Sequence, residues 1–344
     1  MDYRAAVESL INDAAKPTNS LGLLEKLLKK MLLAWGTMHP EVKPYHLIFA
    51  ADNGIVEEGV AADSPEITYL QARNMVDGRA AIGCFCNSNN VPYSVIDIGI
   101  NNKNTAGINR KVAFGTKNFM KDEAMTQAEF DQAWKVGREM VSYAIDTQGA
   151  NLMSFGEMGI GNTTTSSAVL HAMTGILPEF VVGYGASVHN NDIVKRKCTI
   201  VAKGVERHRE TFKCIEDILR CVGGLDIVAI CAGMIECANL KTPFVIDGFI
   251  TAVAFACAAR INKEVEHYAL PSHMSKEPGM AYAMLLGNIL ADEVPIRANL
   301  ALGEGTGAIL MITMLKTMTF TIYNMARRSD IEPSNAELPQ LAAI

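Results

Sequence analysis

Short runs of consecutive apolar residues alternate along the chain with longer stretches in which apolar residues recur at helical spacing. The apolar runs predict buried parallel strands, because a strand covered on both faces has no polar side. They span residues 45–51, 93–99, 152–156, 227–230 and 243–248. The helical spacing covers about 71–87, 127–147, 164–174 and 192–213. This alternation predicts an α/β fold with a doubly wound, mostly parallel sheet and helices on both faces.

Both ends of the chain are predicted to be helical. Apolar residues recur at helical spacing from Leu21 to Leu32, with Ser20 as a candidate N-cap, and residues 305–325 form a long apolar stretch. No linker rich in Pro, Gly or Ser divides the chain. We therefore expect a large α/β domain at 36–309 and a small helical subdomain built from 1–35 and 310–344.

The composition narrows the possible functions. Of 344 residues, 49% are hydrophobic and 20% charged, and the net charge of -6 argues against disorder. The chain has 37 acidic and 31 basic residues, and this acidic balance disfavours a nucleic-acid partner. No apolar run reaches the roughly 18 residues of a membrane span, and the first residues lack the apolar core of a signal peptide. The eight cysteines form no C-x-x-C pair, so we expect free thiols in the cytoplasm and no metal site. We also expect no cofactor.

A glycine-rich segment at 156–165 is the first candidate site. It contains three glycines, Asn162 and three threonines before a predicted helix. Glycines let backbone N–H groups approach an anion, and a helix N-terminus favours negative charge. The segment lacks the G-K-[ST] ending of a nucleotide-binding P-loop. A tight, capped strand-to-helix turn remains the alternative.

A single carboxylate between glycines is the second candidate. Glu304 lies in L-G-E-G-T-G-A, at the start of the apolar C-terminal stretch. Apolar surroundings favour its use as a general base near neutral pH, although an acidic residue also complements the dipole of a helix N-terminus. Two weaker segments are the possible phosphate site at 271–279 and the acidic loop at 51–60.

Taken in order, these segments resemble the nicotinate-nucleotide:dimethylbenzimidazole phosphoribosyltransferases of cobamide assembly. The resemblance covers nearly the whole chain and rests on the joint order of its motifs. They are K-P-x-x-S-L-G-x-L-E from Lys16, A-D-N-G from Ala51, V-I-D-I-G-I from Val95, G-E-M-G-I-G-N-T-T from Gly156, Gly223-Gly224, D-G-F from Asp247, Ser272-His273 with Ser275, and 302–308.

The resemblance implies transfer of ribose 5-phosphate from nicotinate mononucleotide to a small aromatic acceptor, in a dimer with active sites at the subunit interface. It assigns Glu304 as the base and Glu157 as a second carboxylate near the nucleotide. The implied phosphate and ribose contacts are Gly159, Gly161, Asn162, Thr163, Ser275, Lys197, Gly303 and Gly305, with Arg196 as an alternative to Lys197. The implied acceptor pocket comprises Asn53, Asp63, Ser64, Gln71 and Leu302.

Two positions depart from the family pattern. Asn53 stands where members usually carry His, and Asp63 stands where a pocket serine is often found. One branch of the family uses phenols such as p-cresol as acceptors and works as two paralogous subunits. The acceptor is therefore a dimethylbenzimidazole-like base or a phenol, and the assembly a homodimer or a heterodimer. A non-catalytic paralogous subunit and a transferase or kinase using a nucleoside triphosphate are the alternatives.

Overall fold

Six parallel strands form the sheet in the described part of the chain. The computed structural model describes residues 2–38, 41–185 and 190–331. The strand order is β3-β2-β1-β4-β5-β6, and each neighbouring pair is parallel. The strands are β1 (Pro44–Ala51), β2 (Tyr93–Gly99), β3 (Ile108–Asn109), β4 (Leu152–Met158), β5 (Phe244–Ile246) and β6 (Ala269–Pro271). This order confirms the predicted doubly wound α/β fold.

The central strand β1 shows why its sequence is an unbroken apolar run. All eight of its residues are buried. Leu47 and Phe49 point into one hydrophobic cluster, and Ile48 and Ala50 point into another on the opposite face. A strand packed on both faces has no solvent-facing position to fill with polar residues.

Thirteen α-helices in the described residues cover the two faces of the sheet. The cluster around Leu47 and Phe49 contains residues of α5–α12, and the other cluster contains residues of α1–α4 and α13. The helices are α1 (Tyr3–Asn12), α2 (Leu23–Trp35), α3 (Glu66–Val76), α4 (Ala81–Ser88), α5 (Gln127–Ser142), α6 (Asn162–Thr174), α7 (Pro178–Val181), α8 (Asn191–His208), α9 (Ile215–Val222), α10 (Leu225–Asn239), α11 (Phe249–Ile261), α12 (Met280–Leu286) and α13 (Thr306–Asn324).

The helices near the two ends of the chain pack together on one face of the sheet. Buried residues of α1, α2 and α13 share a cluster with Ile48 of β1 and Val245 of β5. The predicted domain boundary after residue 309 lies inside α13, and 332–344 lie outside the described residues. The division into two domains therefore stays a prediction. By length and composition α13 is apolar enough to cross a membrane, yet 56% of its most apolar 18-residue window is buried in the fold.

Three local predictions are wrong. Residues 227–230 belong to α10, not to a strand, and 14 of the 15 residues of α10 are buried. A helix that is buried on all sides is apolar at consecutive positions, as a buried strand is, so the sequence pattern does not separate the two. The predicted helix 71–87 is two helices, α3 and α4, which Gly78 separates at a φ of 69°. The N-cap of α2 is Gly22 rather than Ser20.

Candidate active site

A cleft of about 410 Å³ opens at the carboxyl ends of β4, β5 and β6. It lies beside the place where the strand order reverses, between β1 and β4, which is where ligands bind in doubly wound folds. The cleft is rich in carboxylates. Its lining includes Asp63, Glu157, Asp247, Glu277 and Glu304.

The carboxylate of Glu304 is held by two donors from the helices beside the cleft. Gln71 of α3 donates from Nε2 to Oε1 at 2.9 Å, and the backbone N–H of Ile82, in α4, donates to Oε2 at 3.1 Å. The backbone of Glu304 is left-handed, with a φ of 61°. A non-glycine residue in this conformation is held there by its surroundings and is common at functional sites.

A buried histidine fixes the backbone of Glu304. His46 lies in β1, and its Nε2 is 3.1 Å from the carbonyl oxygen of Glu304, while its Nδ1 is 2.8 Å from Ser154 Oγ. A carbonyl only accepts, so Nε2 carries the proton and Nδ1 accepts from Ser154. Burial lowers the pKa of His46 to about 4, so the ring is neutral near pH 7. A side chain on Gly305, whose φ is 95°, would collide with this ring.

Asp247, at the end of β5, caps the N-terminus of α13. Its Oδ2 accepts from the backbone N–H of Gly305 at 3.2 Å, and its Oδ1 accepts from that of Ala308 at 2.9 Å. Burial raises the pKa of Asp247. Two N–H groups at the start of α13 are thus already bound to a carboxylate of the protein itself, and the contacts implied for Gly303 and Gly305 with phosphate or ribose stay predictions.

Glu157 and Asp226 form a buried carboxylate pair. Glu157 is the last residue but one of β4, and Asp226 lies in the first turn of α10. The Nδ2 of Asn162 donates to Glu157 Oε2 and to Asp226 Oδ2. Burial raises the pKa of both carboxyls, and each neighbours further negative charge.

The start of α6 lies at the cleft, where the sequence predicts a phosphate contact. Asn162 and Thr163 both line the cleft. The backbone N–H of Asn162 donates to the carbonyl oxygen of Gly159, and that of Thr164 donates to the carbonyl oxygen of Gly161. The ammonium of Lys197, on α8, lies 3.3 Å from Thr163 Oγ1 and 3.1 Å from the carbonyl oxygen of Tyr184. Burial lowers the pKa of Lys197. Arg196 points elsewhere and donates to the carbonyl oxygen of Gly59.

The cleft brings together ten of the fifteen residues that the sequence assigned to the site. They are Asp63, Gln71, Glu157, Gly159, Asn162, Thr163, Ser275, Leu302, Gly303 and Glu304. The other five lie outside its lining. Lys197 contacts Thr163 Oγ1, and Gly161 is the N-cap of α6. Gly305 follows Glu304 in the chain and packs against His46. Ser64 is exposed, and its hydroxyl oxygen accepts from the backbone N–H of Glu66. Asn53 is buried beneath 159–161, where its Nδ2 is 3.4 Å from the carbonyl oxygen of Ile160.

Comparison with known proteins places the chain in a family. Residues 1–331 match the model of a phosphoribosyltransferase family. The chain belongs to this phosphoribosyltransferase family. It is 37% identical over 328 residues to the nicotinate-nucleotide–dimethylbenzimidazole phosphoribosyltransferase of Clostridium perfringens, with 94% of this chain and 90% of the relative covered. The enzyme of the same name from Acetivibrio thermocellus is 37% identical, with 94% and 92% covered.

Solved structures agree with this assignment. The crystal structure of CobT from Thermus thermophilus superposes with a TM-score of 0.90 at 30% identity, covering 97% of this chain and all of that one. The chain is therefore a pentosyltransferase. The sequence marked Asp247 only by its position at the end of a strand, in D-G-F. It gave no signal for His46 and Asp226, which lie outside the cleft lining and contact Glu304 and Asn162.

Proposed function

We propose that this phosphoribosyltransferase moves ribose 5-phosphate from nicotinate mononucleotide to an aromatic lower-ligand base of the dimethylbenzimidazole type, giving an α-riboside 5′-phosphate and nicotinate. The relatives are named for this reaction. The observation that carries the proposal is the carboxylate of Glu304, which faces the cleft while Gln71 and Ile82 hold both of its oxygens.

The chemistry of the donor explains why one base is sufficient. The pyridinium nitrogen of nicotinate mononucleotide already carries positive charge, so nicotinate leaves without a general acid. One ring nitrogen of the acceptor attacks C1′ with its lone pair, from the face opposite nicotinate. The other ring nitrogen loses its proton, and Glu304 takes this proton. General-base catalysis contributes roughly 10² to 10⁴-fold, and holding donor and acceptor in line contributes several kcal/mol more.

The cleft offers separate places for the two substrates. The start of α6, supported by Lys197, suits the 5′-phosphate. Ile67 and Leu302 line the side near Glu304 and suit an aromatic ring. Asp63 lines the same side.

A dimer is part of the proposal. Ile67, Leu70 and Leu302 leave 39%, 54% and 58% of their surface exposed on the α3 and Glu304 side of the cleft. Exposed apolar groups beside a binding site are typical of a protein–protein contact. Light scattering of the purified chain distinguishes a homodimer from a chain that requires a paralogous partner.

The test measures nicotinate release from nicotinate mononucleotide by the purified chain, with dimethylbenzimidazole, adenine, phenol and p-cresol as separate acceptors. We expect release with dimethylbenzimidazole, and a loss of turnover on the order of 10²-fold or more in Glu304→Gln with donor binding retained. Glu210→Gln, which removes an exposed carboxylate outside the cleft, is the control.

Other outcomes contradict specific parts of the proposal. Release with phenols alone would place the chain in the phenol-accepting branch. No release with any acceptor, from a folded chain that gains no activity beside a paralogous subunit, would favour a non-catalytic subunit. Near-normal turnover of Glu304→Gln would exclude its role as the base.

A further inference from the structure

A histidine in the wall of the cleft has no part in the proposed reaction. His273 follows β6, and its backbone forms a parallel bridge to Ile296. Only 2% of the residue is exposed, yet it lines the cleft. The bridge and the burial hold the imidazole in place, so the question is which ring nitrogen a ligand in the cleft can reach.

The two nitrogens of the His273 ring lie in different surroundings. A methyl group built on Gly307 would collide with Nδ1, so this side of the ring packs on the first turn of α13. A methyl group built on Gly248, which also lines the cleft, would lie 3.7 Å from Nε2. In the part of the chain that the structure describes, Nε2 has no hydrogen-bond partner and is not among the fully enclosed unpaired atoms. Nε2 is therefore the nitrogen open to a ligand.

The neighbours of Nδ1 place a proton on it. Ser272 Oγ lies 3.2 Å from the carbonyl oxygen of Asp247 and 3.0 Å from His273 Nδ1. A carbonyl only accepts, so Ser272 donates its single hydroxyl proton to Asp247, and Nδ1 donates to Ser272 Oγ. The carboxylate of Asp247, with Oδ1 3.9 Å from Nδ1, favours the same tautomer. In the neutral ring Nε2 is thus an acceptor at the cleft.

An acceptor at this position selects the part of nicotinate mononucleotide that can donate. The ionised phosphate and carboxylate of this nucleotide only accept hydrogen bonds. Its pyridinium nitrogen is bonded to C1′ and carries no proton. The hydroxyl groups at C2′ and C3′ of the ribose are the remaining polar groups, and both donate. A ribose hydroxyl is therefore the group that fits Nε2.

We propose that His273 is a ribose-binding residue, protonated on Nδ1, whose Nε2 accepts a hydrogen bond from a ribose hydroxyl of nicotinate mononucleotide. The identity of this ligand rests on the proposed function, whereas the protonation of the ring does not. The hydrogen bond is made to a group that does not react, so its loss weakens donor binding and leaves the turnover at saturating substrate within about threefold.

Nitrogen NMR tests the ring without any substrate. The chemical shift of an imidazole nitrogen distinguishes a protonated from an unprotonated atom, and the signals of His273 are those missing from His273→Asn or His273→Gln. In the full-length protein at pH 8 we expect a protonated Nδ1 and an unprotonated Nε2. A proton on Nε2 would overturn the proposal, because the ring would then offer a donor to the cleft.

Deoxy analogues of the substrate give the second test. His273→Asn removes Nε2 but keeps a side-chain N–H for Ser272. By calorimetry at pH 8, we expect the 2′-deoxy or the 3′-deoxy analogue to bind the natural protein about tenfold more weakly than nicotinate mononucleotide, and His273→Asn to weaken nicotinate mononucleotide about as much. The same analogue should bind His273→Asn and the natural protein within about twofold, since the hydrogen bond is already missing. His267→Asn, at an exposed histidine outside the cleft lining, is the control.

Two results of the binding assay would overturn the proposal. If neither analogue binds the natural protein more weakly, no ribose hydroxyl is recognised at Nε2. If the losses from the analogue and from His273→Asn multiply, His273 acts on the fold and not on the hydroxyl.

A second variant covers the case in which His273→Asn does not fold, as judged by thermal melting. His273→Gln can place a carbonyl oxygen near the position of Nε2, so we expect its Kd for nicotinate mononucleotide to stay within about threefold of the natural value. A tenfold rise would contradict the acceptor role. If the natural protein does not bind nicotinate mononucleotide, the proposed function fails, while the nitrogen spectrum still decides the protonation of His273.

Discussion

Mild acid is expected to destabilise this protein through His46, which supports the backbone of the proposed base. The ring is fully buried, and its pKa is about 4 in the folded chain against an ordinary value of 6.5. Since the folded-state pKa is the lower one, the unfolded chain binds more protons between pH 6.5 and pH 4. Stability therefore falls as the pH decreases through this window, by about 2 kcal/mol at pH 5 and about 3 kcal/mol at pH 4 from this residue alone.

Urea unfolding at pH 7 and pH 5, at one protein concentration, measures this contribution. Carboxylates titrate over the same range, so the useful quantity is a difference between proteins. His46→Gln keeps a side-chain N–H for the carbonyl of Glu304 and removes the titrating ring. We expect the natural protein to lose about 2 kcal/mol more than His46→Gln between the two pH values. Equal losses would refute the argument, because the imidazole would then titrate alike in the folded and unfolded states.

Two further predictions follow from the loops around the cleft. Gly305→Ala is expected to lower the free energy of unfolding, measured with urea, by at least about 2 kcal/mol more than Gly175→Ala. Both glycines have positive φ, but only at Gly305 would the added methyl group collide with a side chain, that of His46. Equal effects would contradict this collision. Lys197→Met is expected to raise the Kd for nicotinate mononucleotide, measured by calorimetry, about tenfold or more, and Arg196→Met is expected to change it by no more than about twofold. Of these two residues, only Lys197 reaches the start of α6. A larger rise in Kd for Arg196→Met than for Lys197→Met would assign the phosphate contact to Arg196.

The sheet and much of the cleft were predictable from local sequence. The runs at 45–51, 93–99 and 152–156 are strands because unbroken apolar sequence fits a parallel strand buried on both faces. Polar residues at strand ends then mark the site, since parallel strands bring their carboxyl ends to one edge. Glu157 and Asp247 both follow this rule.

Other parts of the fold depended on contacts that local sequence does not encode. Residues 227–230 are apolar because α10 is packed between α5, α11 and the sheet, and periodicity does not separate such a helix from a strand. β3 and β6, of two and three residues, are too short to leave a pattern. Asp226 lies in a helix that otherwise has the composition of a core, and only its distance to Asn162 connects it with the cleft.

The two glycine-rich motifs of the site are similar in sequence but have different surroundings in the structure. Both have glycines before a helix. The first was expected to bind an anion and the second to position a base, with Gly303 and Gly305 as implied phosphate or ribose contacts. At 159–161 the glycines bring the chain close to β1 and leave the start of α6 facing the cleft. At 303–307 the space beside the glycines is filled by side chains of the protein itself, Glu157, His46 and His273. In the second motif the anion at the N-terminus of the helix is the carboxylate of Asp247, while the contacts implied for Gly303 and Gly305 with phosphate or ribose stay predictions.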